Sequence, residues 1–437
     1  MEFLLNFPAF AKVGISFLGI ILLTRIKIPL AYSILIFSIL LTLWTGIGFK
    51  GFIFQINNLI SPDSWLLFLA IFFLLFFTES LNKTGRMKKT IDALSLWFKT
   101  PLMLLMGLPA LVGLLPMPGG ALFSAPFVDA TDSKKLLSPL HKASINYWFR
   151  HVWEYWWPLY PGVILAIKYS QLPAGIYFLI QLPFTFAAIL GGYYFLFYRK
   201  GLKDSLSLSR ENIKKNLKSV LSTLIPILII VLSSIICSIF LPIFSISKSL
   251  ASLIGILIGL FLGLCIIFQK NPSDIKACSK MFLEKNTWEM MLLIVGVIMF
   301  SSALKCPLNH GESQTLVTAM RDEFINMGIP ILLIIAIIPF VSGFVTGIAF
   351  GYVGSSFPII FALLGPNPSF NVLCAITTLA YGCGYFGMIL SPVHICLVVT
   401  NQYFKTRLLD SYKYIFMPAF VIFIASIFMS LFYYFLF

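Results

Sequence analysis

The sequence predicts an all-α, polytopic membrane protein built from two inverted repeats, each with five transmembrane helices and one re-entrant hairpin. This prediction rests on the apolar content, the spacing of the apolar runs and the distribution of the basic residues. Of the 437 residues, 59% are hydrophobic and only 11% are charged, with a mean hydropathy of +0.95. Ordinary soluble domains are about 25% charged. The composition excludes soluble, fibrous and disordered proteins.

Apolar runs recur at close to the length that crosses a bilayer, about 20 residues. Two of them, 101–133 and 329–361, are too long for one simple crossing and too short for two. The first is interrupted by Pro-Met-Pro-Gly-Gly at 116–120, and the second by small residues from Ser342 to Ser356. We expect both to be re-entrant hairpins, which leaves ten crossings.

The basic residues support this topology. With the N-terminus outside and both hairpins re-entrant, 24 of the 31 Lys and Arg lie inside, six lie outside, and Arg150 lies within a span. Such an asymmetry follows the positive-inside rule and predicts a multi-pass protein of the cytoplasmic membrane with both termini outside. It also accounts for the net charge of +15 without a nucleic-acid partner. The seven cysteines include no CxxC pair, so neither a disulfide framework nor a metal site is expected.

The two halves follow one plan. Residues 1–197 form the first predicted repeat, with a hairpin at about 101–133 and a broken helix at 143–168. Residues 219–437 form the second, with a hairpin at about 329–361 and a broken helix at 371–400. A basic cytoplasmic linker, 198–218, joins them. Because each half has an odd number of crossings, the second must be inverted, an architecture typical of secondary transporters.

Two motifs resemble a known family of prokaryotic integral membrane proteins, domain-of-unknown-function family 401. They are Pro-Met-Pro-Gly-Gly-Ala at 116–121 and Asn-Tyr-Trp-Phe-Arg-His-Val-Trp-Glu-Tyr-Trp-Trp-Pro at 146–158. That family resembles the ion-transporter superfamily of gluconate, citrate, dicarboxylate and arsenite carriers. The resemblance implies an elevator-type, dimeric transporter that holds substrate between two hairpin tips and two broken helices. The hairpin tips here lack the Ser-Asn-Thr-type signatures of the sodium-coupled dicarboxylate branch.

The hairpin tips are the first candidate binding site. Glycine and proline in the first hairpin free backbone groups near mid-membrane, and a helix that begins at about Gly119 would point its N-terminal amides at an anion. In the second hairpin, small hydroxyl residues and glycines offer hydroxyl groups and free backbone groups at the matching depth. Packing of helices through small residues is the alternative. The predicted substrate-binding residues of the tips are Pro118, Gly119, Gly120, Ala121, Ser342, Gly343, Thr346 and Gly347.

The broken helices are the second candidate site. Arg150, His151 and Glu154 lie near mid-membrane, where a charged residue is rare and usually functional. Arg150 is predicted to bind the anion, and Glu154, assisted by His151, to carry a coupling proton. A buried ion pair between Arg150 and Glu154 is the structural alternative. In the second repeat, Gly382 and Gly384 are predicted to break the helix and line the site.

These features together predict a secondary active transporter, not an enzyme, that moves a small organic anion across the cytoplasmic membrane, coupled to protons or sodium. No cofactor is expected; the expected partners are the substrate anion, the coupling cation, the lipid bilayer and a second copy of the chain. An intramembrane enzyme using His151 and Glu154 is one alternative, although the sequence has no H-E-x-x-H motif. An ion channel is the other, although broken helices in both halves favour a carrier.

Overall fold

Helices make up almost all of the computed structural model, which describes residues 7–86, 89, 98, 100–114, 120–132, 135–200, 217–269, 274–308, 314–365 and 367–436. This part of the chain contains 19 α-helices. Those of the first half are α1 (Ala9–Arg25), α2 (Leu30–Trp44), α3 (Phe49–Leu59), α4 (Pro62–Lys83), α5 (Pro101–Gly113), α6 (Ala121–Thr131), α7 (Pro139–Arg150), α8 (Pro161–Ser170) and α9 (Ala174–Tyr193). Those of the second half are α10 (Leu217–Phe240), α11 (Lys248–Phe268), α12 (Asp274–Cys278), α13 (Lys285–Lys305), α14 (Leu316–Asn326), α15 (Ile331–Thr346), α16 (Ala349–Leu363), α17 (Phe370–Ile389), α18 (Ile395–Tyr403) and α19 (Leu408–Leu436).

Seven of the described helices are long and apolar enough to cross a bilayer: α4, α9, α10, α11, α13, α17 and α19. Their outer faces are apolar as well. On α9, Leu179, Phe186 and Leu190 are each about 60% exposed (64%, 59% and 66%). Leucine and phenylalanine so exposed along a helix are suited to lipid rather than water. The prediction of an all-helical membrane protein is therefore confirmed.

Several helices begin where a hydroxyl residue is followed by proline. Proline suits the first helical position because its missing N–H would have no partner there, and the hydroxyl caps a free amide of the first turn. In each case the capping oxygen accepts a hydrogen bond from the amide three residues on. The pairs are Ser61 with Ser64, Thr100 with Met103, and Ser138 with His141.

Two pairs of consecutive helices pack together in the segments expected to be hairpins. Helix α5 packs against α6, and α15 packs against α16. Each of the four arms contains one internal proline, and Pro109 and Pro339 are both the ninth residue of their helix. After α16, Gly365 lies against the guanidinium of Arg321 in α14, so the segments that precede and follow this helix pair are in contact.

The packing between the two halves is reciprocal. Helix α2 packs against α13, and α4 packs against α11. In each half, the short helix that follows the break packs against the other half. Helix α8 contacts α16, the second arm of the second hairpin, and α18 contacts α6, the second arm of the first hairpin.

Candidate functional site

Helix α7 ends at Arg150, inside the segment that the sequence predicts as one helix broken at 157–162. Turns follow from 151 to 160, and Pro161 begins α8, so the break comes earlier than expected. Two indoles tie this break to the end of the first hairpin arm. Trp153 donates to the carbonyl of Ala110 at 2.8 Å and Trp157 to that of Leu114 at 2.8 Å. The last carbonyls of a helix have no intrahelical partner, so these tryptophans satisfy the open end of α5.

Arg150 lies against the tip of the first hairpin. It is 2% exposed, and a Cβ added to Gly120 would collide with its guanidinium, with Cζ and Nε only 3.1 Å away. Asn146, one turn earlier, donates its side-chain amide to the carbonyl of Ala121 at 2.9 Å. Gly120 and Ala121 therefore meet the broken helix as the sequence predicts. Pro118 and Gly119 lie outside the described residues.

His151 and His394 form a buried pair that joins the two halves. Their Nε2 atoms lie 2.9 Å apart, and both side chains are buried. Nδ1 of His151 lies 2.6 Å from the carbonyl of Tyr147, which can only accept a hydrogen bond. His151 therefore carries its proton on Nδ1 when neutral, which leaves its Nε2 as an acceptor facing Nε2 of His394.

Glu154 completes this cluster. Its Oε1 lies 3.9 Å from Nε2 of His151, and the residue is 6% exposed. The hydroxyl of Tyr160 donates to the Gly113 carbonyl and is also hydrogen-bonded to the Glu154 side chain. Glu154 is therefore a buried carboxyl group that lies beside both His151 and Tyr160.

Side chains of α17 satisfy the backbone that the break exposes. Tyr381 donates to the carbonyl of Glu154 at 2.6 Å, and Tyr385 donates to that of His151 at 3.1 Å. An unpaired carbonyl costs several kcal/mol in a bilayer core, so a break there requires such donors. The broken segment of the first half is thus held by a helix of the second.

The tip of the second hairpin contacts His394. Gly347 ends α15 with φ +65°, and a Cβ there would lie 2.9 Å from the backbone nitrogen of His394. The hydroxyls of Ser342 and Ser355 bond each other across the hairpin, and Thr346 donates to the Ser342 carbonyl at 2.8 Å. The second hairpin therefore reaches the cluster through Gly347, while its hydroxyls serve contacts within the hairpin.

The glycines expected to break the second broken helix lie inside a continuous helix. Helix α17 continues through Gly382 and Gly384 to Ile389, and the break follows at 390–394, so the predicted break at the glycines is wrong. Gly384 packs against the Tyr352 ring and, through its carbonyl, against Gly343, whereas Gly382 faces Ser426. Glycine lets helices approach closely without interrupting them when neighbouring helices pack on both sides.

His394, Cys396, Tyr381 and Tyr385 are members of this site that sequence reasoning missed. His394 lies in a segment, Pro392 onward, that corresponds to Pro161 in the first half, and that internal similarity is the signal that points to it. Potential ligand atoms of His151, His394 and Cys396 lie within 4.8 Å of one another, a grouping that could hold a metal ion. In the present arrangement the two Nε2 atoms bond each other, which uses the nitrogens that a metal would need.

Comparison with known proteins identifies the family of the chain but no activity. No curated protein matches the chain. One family model matches residues 12–433 and so spans both halves, both hairpins and the buried cluster between them. That extent agrees with the whole-chain resemblance seen in the sequence. The chain belongs to the family described as "Protein of unknown function (DUF401)".

Proposed function

We propose that the protein is a secondary active transporter of a small organic anion, driven by protons across the cytoplasmic membrane. The observation that carries this proposal is the meeting of both hairpins with both broken helices at one buried polar cluster. Gly120 contacts Arg150, Gly347 contacts His394, and His394 bonds His151. A site of this kind between two repeats is typical of secondary transporters.

The reciprocal packing supports two inverted repeats. When α2 contacts α13 and α4 contacts α11, corresponding elements exchange roles, as they do about a two-fold axis. The seven long apolar helices, with α1, α2 and the pair α7–α8, make up ten crossings. We take the two hairpins to be re-entrant and the arrangement to be of the elevator type, with a second copy of the chain as the partner.

Contacts between distant segments support the proposed sidedness. Arg86 donates to the carbonyls of Ile266 and Ile267 at 3.0 and 3.2 Å, and Lys168 pairs with Asp63 at 2.6 Å. Each contact joins a segment before the first hairpin to one after it. If that hairpin crossed the membrane completely, the later segment would lie on the opposite side in each case. Together with the distribution of the basic residues, this supports the proposal that both termini lie outside and the linker 198–218 inside.

The proton is favoured over sodium as the coupling ion. The hydroxyls of Ser342 and Thr346, which could bind sodium, make hydrogen bonds within the second hairpin, whereas the titratable side chains lie together in the buried cluster. Three groups that can carry a proton are adjacent: Glu154 lies 3.9 Å from His151, and His151 bonds His394. Histidine and carboxyl groups in a chain are the usual proton relay of membrane transporters.

The experiment is uptake into proteoliposomes of small organic anions first selected by thermal-shift screening of the purified protein. We expect saturable accumulation driven by an imposed proton gradient, with external acid, and none driven by a sodium gradient alone. Accumulation that follows sodium would contradict proton coupling. Flux that never saturates would indicate a channel, and stoichiometric zinc in the purified protein would favour an enzyme.

A further inference from the structure

A polar cavity lies between the two halves, away from the buried histidine pair. Its volume is about 550 Å³, and its walls come from both halves: the start of α4, the end of α8, the start of α11 and the end of α13. Hydroxyl and amide side chains make up much of the lining. A cavity of this size is in the range of small-molecule sites.

The charges in this cavity are mainly positive. Lys168, Lys248 and Lys305 line it, and among the described residues Asp63 is the one carboxylate that does so. Asp63 pairs with Lys168 at 2.6 Å, which leaves the cavity with a net charge of +2. All three lysines belong to segments that the topology places outside. The cavity therefore presents an electropositive site to anions arriving from that side.

The N-terminus of α11 adds a second source of positive potential. Ser247 caps the helix by accepting from the amide of Leu250, so the amides of Lys248 and Ser249 remain at the open end of a 21-residue helix. The hydroxyl of Ser249 is buried and has no hydrogen-bond partner among the described residues. Ser249 belongs to the lining of the cavity, so this unpaired hydroxyl lies at the cavity wall.

We propose that this cavity binds a small dianion, whose two negative charges are matched by the net charge of the lining and by the helix N-terminus. Dicarboxylates and inorganic oxyanions share this chemistry. The cavity holds the dianion on the outer side, and the dianion then moves to the Arg150 cluster. Only this movement rests on the proposed transport function. Lys305 and Ser249 are the residues that hold it.

The test measures binding to the purified full-length protein by calorimetry, so it does not depend on transport. Succinate and sulfate are the probes, and acetate is the singly charged comparison. We expect succinate, sulfate or both to bind, acetate to bind about tenfold more weakly, and Lys305→Gln to weaken dianion binding about tenfold. Ser249→Ala, which removes only a hydroxyl, should weaken it severalfold. Lys50→Gln, an exposed lysine placed on the same side but outside the cavity, should not change it.

Succinate binding without sulfate binding identifies a dicarboxylate site, and the converse identifies an oxyanion site. The proposal is overturned if neither dianion binds the wild type, if acetate binds as tightly, or if both variants bind as the wild type does. Should Lys305→Gln fail to fold, Ser249→Ala decides alone. If dianions bind in a Lys305-dependent manner and no gradient drives their uptake, the transport proposal fails while the cavity proposal stands.

Discussion

The imidazoles of His151 and His394, 243 residues apart in sequence, share a hydrogen bond of 2.9 Å between their Nε2 atoms. His151 lies at the start of the break in the first half, and His394 caps α18 after the break in the second. A hydrogen bond between neutral imidazoles requires one donor and one acceptor, so protonation of the acceptor breaks it. The pair is therefore a contact between the halves that responds to a proton.

Removing His394 should destabilise the protein and uncouple transport. His394→Ala leaves Nε2 of His151 buried without its donor, which costs about 1–3 kcal/mol of unfolding free energy. His394→Gln restores a donor but cannot relay a proton, so we expect near-normal stability without proton-driven accumulation. Thermal unfolding in detergent and uptake in proteoliposomes measure the two effects. Normal proton-driven uptake by both variants would show that the pair is only structural.

Glu154→Gln should lose proton-driven accumulation and keep exchange of labelled for unlabelled substrate. The amide cannot release a proton, but it keeps the size of the carboxyl group and its hydrogen-bonding capacity toward Tyr160. We expect accumulation to fall by about 100-fold or more. Glu289→Gln is the matched control, because that carboxylate pairs with Lys285 on the same helix, away from the cluster. Equal losses in both variants would contradict a specific role for Glu154.

Gly120→Ala should reduce uptake by displacing the Arg150 guanidinium. The added Cβ would occupy space that the guanidinium fills, and misplacement of a binding group by about 1 Å can reduce activity about 100-fold. Gly120→Val should have the stronger effect and abolish uptake. Gly14→Ala is the control, since a Cβ there meets no atom within 4 Å. The prediction is wrong if Gly120→Ala and Gly14→Ala transport equally well.

The first hairpin should return to the cytoplasmic side. Single cysteines at Lys89, before the hairpin, and Lys135, after it, are both exposed and should both be protected from a membrane-impermeant thiol reagent in intact cells. A cysteine at Lys50, placed outside, should react. The native cysteines are first replaced. Opposite labelling of positions 89 and 135 would contradict the re-entrant hairpin and the sidedness derived from it.

The sequence by itself determined the class of the protein and most of its helices. Composition and run length identify a membrane protein because a bilayer requires long apolar segments whatever their neighbours are. Arg150 and Glu154 could be identified as candidate site residues from the sequence. A charged side chain inside an apolar run is rare because placing it in the bilayer core costs free energy, and that cost depends on its depth alone.

Only the tertiary structure decided where the helices break and which residues share the site. The turns at 151–160 depend on donors from distant helices, such as Tyr381 to the carbonyl of Glu154. Helix α17 continues through Gly382 because its neighbours pack closely against it, which no local pattern in the sequence records. His394 reaches His151 because reciprocal packing brings the two halves together. Contacts of this kind depend on how separate helices pack, and sequence periodicity describes each helix alone.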